Sequence, residues 1–175
     1  ILSYNNYLWV ANSGASSISK IDLQNNSVIK NIEVGPGPQN LINYNNNIYI
    51  SRTFYDEYWT TFHGSSIINS NDECNITKSY GTGTPCGGSV MVYNNKVYRS
   101  YDGGISPLEN NLNINTSARI GNYIQDNVNH VEIINNNIWY AIKDGYNPNP
   151  GHIKVTDIAG QEIANYSVGI FPGDF

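Results

Sequence analysis

The hexapeptide YNNYLW at residues 4–9 recurs as YNNNIY at 44–49, YNNKVY at 93–98 and INNNIW at 134–139. Asn adopts positive φ more readily than any residue except Gly, so an Asn pair between apolar segments predicts a tight turn joining two antiparallel strands. The four copies begin 40, 49 and 41 residues apart. The sequence therefore predicts four hairpins, one in each of four units of similar length.

Each unit also contains short segments in which apolar and polar residues alternate, as they do in half-buried strands. Examples are residues 17–21 and 28–34 in the first unit and 151–155 in the last. No segment has the apolar spacing of an amphipathic helix. A four-stranded unit with a period of ~40–50 residues is typical of a propeller blade. We predict an all-β chain that forms a β-propeller of four four-stranded blades, a single domain over 1–175 with repeats at approximately 1–37, 38–84, 85–127 and 128–175.

Gly and Pro mark the connections between units, at residues 34–38, 81–85 and 168–173. The third unit differs, because residues 120–122 read Ile-Gly-Asn without a Pro. If residue 175 were joined to residue 1, the linker, inner strand and hairpin would follow in phase with the other repeats. This predicts either a small closed propeller, in which closure removes exposed sheet edges, or four blades of a larger one.

The charge content limits the classes of partner. Charged residues make up only 13% of the chain, with 9 Lys and Arg against 14 Asp and Glu, whereas Asn occurs 29 times. Nucleic-acid binding needs a cluster of basic residues, and the sequence has none. There is also no apolar run long enough for a transmembrane helix. We therefore predict no nucleic-acid partner and no membrane span.

Residues 8–14, 18–22 and 28–38 carry a family resemblance. Their sequences are LWVANSG, ISKID and VIKNIEVGPGP. This pattern resembles the YVTN-type β-propeller repeat of archaeal surface-layer proteins and related secreted bacterial proteins. The other units depart from that pattern, with Arg52 and Ser100 in place of the Asn that follows the second strand. The resemblance implies a propeller in an extracellular or cell-surface setting, and it brings no catalytic motif.

An insertion at residues 54–63 lengthens the middle loop of the second unit and is rich in aromatic side chains. Exposed aromatic rings beside acids and hydroxyls are typical of protein or carbohydrate recognition, because a ring offers apolar area with little loss of side-chain entropy. The alternative is a loop that folds over a neighbouring blade and covers its core. The predicted binding residues are Tyr55, Tyr58, Trp59 and Phe62, with Tyr146 in a second, Pro-flanked loop.

Two kinds of covalent feature follow from the predicted extracellular setting. Cys74 and Cys86 are twelve residues apart in a turn-rich segment, so we expect a disulfide, with two buried thiols as the alternative. Four N-glycosylation sequons, a number close to chance for so Asn-rich a chain, fall one in each unit, on or beside the predicted outer strand. Their acceptors are Asn25, Asn75, Asn115 and Asn165.

No residue pattern points to catalysis, a metal or a cofactor. His130 and Glu132 share one face of an inner strand, which is more typical of a structural pair than of an active site. We therefore expect a non-catalytic binding or structural module that meets a protein or carbohydrate at a cell or virion surface. The alternatives are a lyase or lactonase with a metal in its axial channel, and a self-associating subunit of a surface layer, filament or viral coat.

Overall fold

The computed structural model describes residues 1–83, 88–145 and 149–173. These contain fifteen β-strands, three short 3-10 turns and no α-helix. The strands are β1 (Leu2–Tyr4), β2 (Tyr7–Asn12), β3 (Ser17–Asp22), β4 (Ser27–Glu33), β5 (Pro38–Tyr44), β6 (Asn47–Tyr55), β7 (Thr61–Ile68), β8 (Cys74–Thr82), β9 (Val90–Tyr93), β10 (Lys96–Tyr101), β11 (Gly104–Leu108), β12 (Val128–Ile134), β13 (Asn137–Ile142), β14 (His152–Thr156) and β15 (Glu162–Ser167).

The strands form four antiparallel sheets in which every strand pairs with its neighbour in the chain. The orders are β1-β2-β3-β4, β5-β6-β7-β8, β9-β10-β11 and β12-β13-β14-β15. The four Asn pairs lie at the first turn of each sheet, and their members all have positive φ, between 44° and 62°: Asn5, Asn6, Asn45, Asn46, Asn94, Asn95, Asn135 and Asn136. The prediction of an all-β chain with four Asn-turn hairpins is confirmed.

The third sheet has three strands within the described residues. After β11 the chain turns and runs back beside it, making only two isolated bridges, Leu108↔Ile114 and Ile105↔Ile120. A 3-10 turn at Thr116–Ala118 separates the two bridges. This segment therefore occupies the position of a fourth strand without forming a regular ladder, in the unit whose sequence already departs from the repeat.

The chain divides into two compact units, Ile1–Thr82 and Gly83–Phe175. Each unit holds two of the sheets and has its own hydrophobic core. In the first unit the core consists of apolar side chains from both sheets: Trp9, Ile18, Ile32, Val34, Leu41, Ile48, Ile50 and Ile68. In the second unit it consists of Met91, Tyr98, Ile105, Val128, Val131, Ile138 and Tyr140.

The Gly-Pro linker between β4 and β5 packs closely against the second sheet. Gly37 has φ of +66°, and its carbonyl accepts a hydrogen bond from the Thr53 backbone N–H at 2.8 Å. A Cβ at this position would collide with the Thr53 carbonyl. The linker therefore needs Gly both for its left-handed backbone and for this close approach.

Arg52 is 2% exposed and binds the same linker. Its Nη1 donates to the Pro36 carbonyl at 3.3 Å, and its Nη2 donates to the Lys78 carbonyl on β8 at 2.9 Å. Burial lowers the pKa of the guanidinium from its ordinary value, but an arginine remains charged at neutral pH. Arg52 thus joins the linker to the outer strand of the second sheet.

Candidate functional site

The aromatic insertion forms the end of the β6–β7 hairpin. Asp56 closes the loop, because its Oδ1 accepts hydrogen bonds from the backbone N–H groups of Tyr58 at 2.9 Å and Thr60 at 2.8 Å. The Asp56 N–H also donates to the Thr60 carbonyl at 3.1 Å. This is a three-residue hairpin loop of the kind that ends in a left-handed residue, and that residue is Trp59, with φ of +61°.

Three aromatic side chains project from this loop. Tyr58 is 80% exposed, Trp59 is 81% exposed and Tyr55 is half exposed. The rings of Tyr55 and Trp59 lie 6.0 Å apart and are tilted by 55°. We call Tyr55, Tyr58 and Trp59 the aromatic tip. Its rings face solvent, so within the described part of the chain they cover no core.

The other two predicted binding residues differ from the tip. Phe62 is half-buried at the base of the hairpin, where its ring stacks on Phe54 with centroids 5.7 Å apart. This contact accounts for an aromatic residue at position 62 as a packing residue. The sequence alone did not distinguish a packing role from a binding role at this position. Tyr146 lies outside the described residues.

The same loop geometry occurs at three other hairpins, which makes Trp59 unusual. The left-handed position is occupied by Asp72 (φ +60°), Leu112 (φ +62°) and Gly160 (φ +84°) in those loops. Gly and Asp tolerate this conformation, and Leu112 is fully buried, so its packing offsets the strain. Trp does not tolerate the left-handed conformation well, and the Trp59 side chain gains no burial that would offset the strain. A strained residue that is held with its ring in solvent is a feature of functional sites.

A second feature, not predicted from the sequence, is a cleft of about 270 Å³ in the first unit. It lies at the end of the first two sheets that carries the Asn turns. We call it the Lys20 cleft. Its lining consists of aromatic rings, amides, one ion pair, one aliphatic side chain and one hydroxyl: Tyr4, Asn5, Tyr7, Trp9, Lys20, Asn46, Ile48, Asn69, Ser70 and Asp72.

The ion pair joins the two sheets. Lys20 Nζ lies 2.7 Å from Asp72 Oδ2, and the two side chains are 11% and 26% exposed. The same ammonium lies 4.0 Å from the ring centroid of Tyr7 and 4.9 Å from that of Trp9. A lysine on the buried face of β3, in a chain so poor in charge, is the sequence signal that could have indicated this site, because a buried ammonium needs a partner.

The rim of the cleft is held in place by its turns. Asn5, Asn46 and Asp72 all have positive φ. The Tyr4 hydroxyl donates to Asn46 Oδ1 at 2.8 Å, and Lys30 Nζ donates to the Asp72 carbonyl at 2.7 Å. The polar groups of the cleft are therefore positioned by contacts within the first unit.

The four predicted glycosylation acceptors are all exposed. Asn75 lies on β8 and Asn165 on β15, both outer strands, while Asn25 precedes β4 and Asn115 precedes the 3-10 turn of the third sheet. Their positions suit a bulky surface group, and their modification stays a prediction.

The predicted disulfide also stays a prediction, because Cys86 lies outside the described residues. Cys74, at the start of β8, is half-buried, and its Sγ lies 3.3 Å from the Thr77 hydroxyl.

The remaining sequence candidate is the pair on β12. His130 Nε2 lies 3.3 Å from Glu132 Oε1, and the side chains are 16% and 40% exposed. Among residues 1–83, 88–145 and 149–173, no group of three or more His, Cys, Asp or Glu side chains is close enough to hold a metal ion. No helix in these segments is long and apolar enough to cross a membrane.

No protein-family model and no curated protein sequence matches the chain. Solved structures do match. Hydrazine synthase of Kuenenia stuttgartiensis is similar over 94% of this chain and 46% of its own, with a TM-score of 0.67 and 14% identity. The dihydro-heme d1 dehydrogenase NirN is similar over 96% of this chain and 36% of its own, with a TM-score of 0.62 and 14% identity.

A third match is KlHsv2 with loop 6CD replaced by a Gly-Ser linker, over 98% of this chain and 52% of its own, with a TM-score of 0.56 and 14% identity. The chain therefore spans about half or less of the length of these structures. At this identity the matches bear on fold alone. Together with the four antiparallel sheets, they show that the chain has a β-propeller fold.

Proposed function

We propose that this protein is a non-catalytic interaction module at a cell or virion surface, and that its aromatic tip binds a partner protein. The observation that carries the proposal is Trp59, which is held in a left-handed backbone conformation with its ring 81% exposed. The folded chain gains little from this arrangement by itself. A partner that buries the ring would supply the compensating interaction.

The shape of the tip favours a protein partner over a carbohydrate. The tip is convex, since it is the end of a long hairpin, and the rings of Tyr55 and Trp59 are tilted by 55°. Two tilted rings do not offer the flat platform on which a sugar face stacks. Trp and Tyr that enter a pocket of another protein are the usual anchors of interfaces.

The experiment compares binding of the fluorescently labelled protein to envelope preparations from the source organism and its hosts. Trp59→Asn removes the ring and suits the left-handed backbone, and Tyr58→Ala removes the neighbouring ring. Tyr166→Ala is the matched control, because Tyr166 is a 52% exposed aromatic residue on β15. We expect Trp59→Asn to weaken binding by about thirtyfold, the effect of losing ~2 kcal/mol at an anchor residue.

Treatment of the envelopes separates the classes of partner. Binding to a protein is lost after protease treatment and survives periodate oxidation of glycans, and the reverse result would contradict the proposal. Equal binding by Trp59→Asn and the Tyr166→Ala control would also contradict it. A self-associating subunit would instead sediment as a concentration-dependent assembly without envelopes. A lyase or lactonase would retain a bound metal in elemental analysis.

A further inference from the structure

We infer that the Lys20 cleft is a second binding site, distinct from the aromatic tip, which takes a single neutral sugar unit. The two sites lie at opposite ends of the second sheet. Asn46 immediately precedes β6 and Tyr55 ends it, so the strand of nine residues separates them by roughly 30 Å. A ligand in the cleft therefore does not touch the tip.

The charge of the cleft favours a neutral ligand. Its only charged lining groups are Lys20 and Asp72, which already form an ion pair at 2.7 Å. An anion would approach the Asp72 carboxylate, and a cation would compete with an ammonium that already lies against the rings of Tyr7 and Trp9. Inside the cleft either charge would be desolvated while Lys20 and Asp72 are already paired with each other. The nearby Lys30 ammonium, which donates to the Asp72 carbonyl at the rim, is exposed to solvent, and the charged comparators in the test below report on its effect.

The polar groups of the lining match the hydroxyls of a sugar. Each hydroxyl both donates and accepts a hydrogen bond, and so does each side-chain amide. Asn5 supplies an amide and Ser70 a hydroxyl, and Asn46 supplies the donor Nδ2, since its Oδ1 accepts from the Tyr4 hydroxyl. The Asn69 amide is bonded within its own turn, where its Oδ1 accepts from the backbone N–H groups of Asn71 and Glu73. Asp72 uses Oδ2 for Lys20, which leaves Oδ1 to accept from a ligand hydroxyl.

The size of the cleft favours one sugar ring. About 270 Å³ is the volume of roughly nine waters at ~30 Å³ each, below the range for drug-sized ligands. The half-buried rings of Tyr4 and Tyr7 give the cleft apolar walls for the C–H groups of the sugar. The left-handed turns at Asn5, Asn46 and Asp72 hold the rim in place, so little ordering is needed on binding.

The test is titration of the ¹⁵N-labelled protein with methyl glycosides of glucose, mannose, galactose and N-acetylglucosamine, followed by amide chemical shifts. Glucuronate and glucosamine serve as charged comparators. For a ligand of this size we expect a Kd of about 1 mM for at least one neutral sugar. The shifts should centre on the two Asn turns and the β7–β8 turn of the first unit.

Two variants and a matched control locate the site. Asn46→Gly removes an amide from the rim and keeps the positive φ of +60°. We expect it to weaken sugar binding about fivefold or more, the effect of one lost hydrogen bond. Asn136→Gly makes the same change at the equivalent turn of the fourth sheet, where φ is +62°, and should leave binding unchanged.

Ser70 is exposed in the β7–β8 turn, so Ser70→Trp should fill the mouth of the cleft and abolish binding without disturbing the core. The inference is overturned if no neutral sugar binds below about 50 mM, if a charged sugar binds more tightly than the neutral ones, or if Asn46→Gly and Ser70→Trp bind like the Asn136→Gly control. Because these residues and this assay do not involve the tip, the result is independent of the proposed protein partner.

Discussion

Trp59 should be replaceable by Asn with a gain in stability, although removal of a Trp usually destabilises a protein. The left-handed conformation costs an ordinary L-residue roughly 1–2 kcal/mol, and Asn relieves most of that cost because its short polar side chain tolerates the conformation. The loss is the tilted ring contact with Tyr55 at 6.0 Å, about 0.5 kcal/mol. We expect Trp59→Asn to raise the free energy of unfolding by about 0.5–1 kcal/mol.

The assay is equilibrium unfolding in denaturant, with a change of midpoint at constant m value as the readout. Leu112→Asn is the matched comparison, since Leu112 occupies the same loop position but is fully buried. There the lost burial outweighs the backbone relief, and we expect a loss of about 2–3 kcal/mol. If Trp59→Asn instead lowered stability by more than about 1 kcal/mol, Trp59 would be a packing residue and the argument for the tip would fail.

Two further predictions concern buried polar groups. A double-mutant cycle with Lys20→Met and Asp72→Asn should give a coupling energy of about 2 kcal/mol, because the two side chains are only 11% and 26% exposed. The same cycle with Lys154→Met and Glu162→Gln, a pair that is 27% and 42% exposed, should give about 0.5 kcal/mol. Equal coupling energies would contradict this account of the cleft. Burial raises the pKa of the Tyr140 phenol, which donates to a backbone carbonyl at 2.9 Å. The neutral phenol is therefore favoured in the folded state, so its stabilising contribution is complete below pH ~10 and decreases as the pH rises further. Between pH 8 and 11 the denaturant midpoint of unfolding should fall more steeply with pH for the wild type than for Tyr140→Phe. If the two midpoints fell in parallel, the raised pKa of Tyr140 in the folded state would be contradicted.

Much of the fold was predictable because its signals are local. Each Asn pair, such as Asn45 and Asn46, is enough to specify a tight turn, since the preference for positive φ belongs to the residue itself. Alternating apolar residues then specify the two strands that the turn joins. The third unit was the exception. Its outer segment forms only isolated bridges, and the burial of Leu112 at a strained loop position depends on packing that the local sequence does not reveal.

The candidate sites divide in the same way. The sequence showed an insertion rich in aromatic residues, but it left open whether those rings are exposed or cover a core. That Trp59 points into solvent while Phe62 packs on Phe54 depends on which face of the hairpin each residue occupies. The sequence showed an arginine in the second strand of the second unit, but not that Arg52 binds the linker carbonyl of Pro36.

The sequence by itself determined the four Asn turns, the strand pattern and the low charge of this protein, since each depends on the preferences of neighbouring residues. Only the tertiary structure decided that Lys20 and Asp72 meet, although they are 52 positions apart in the chain. A local pattern carries no information about which residue a buried ammonium will pair with. That choice depends on how two sheets pack together, and the cleft between their turns exists only after they have done so.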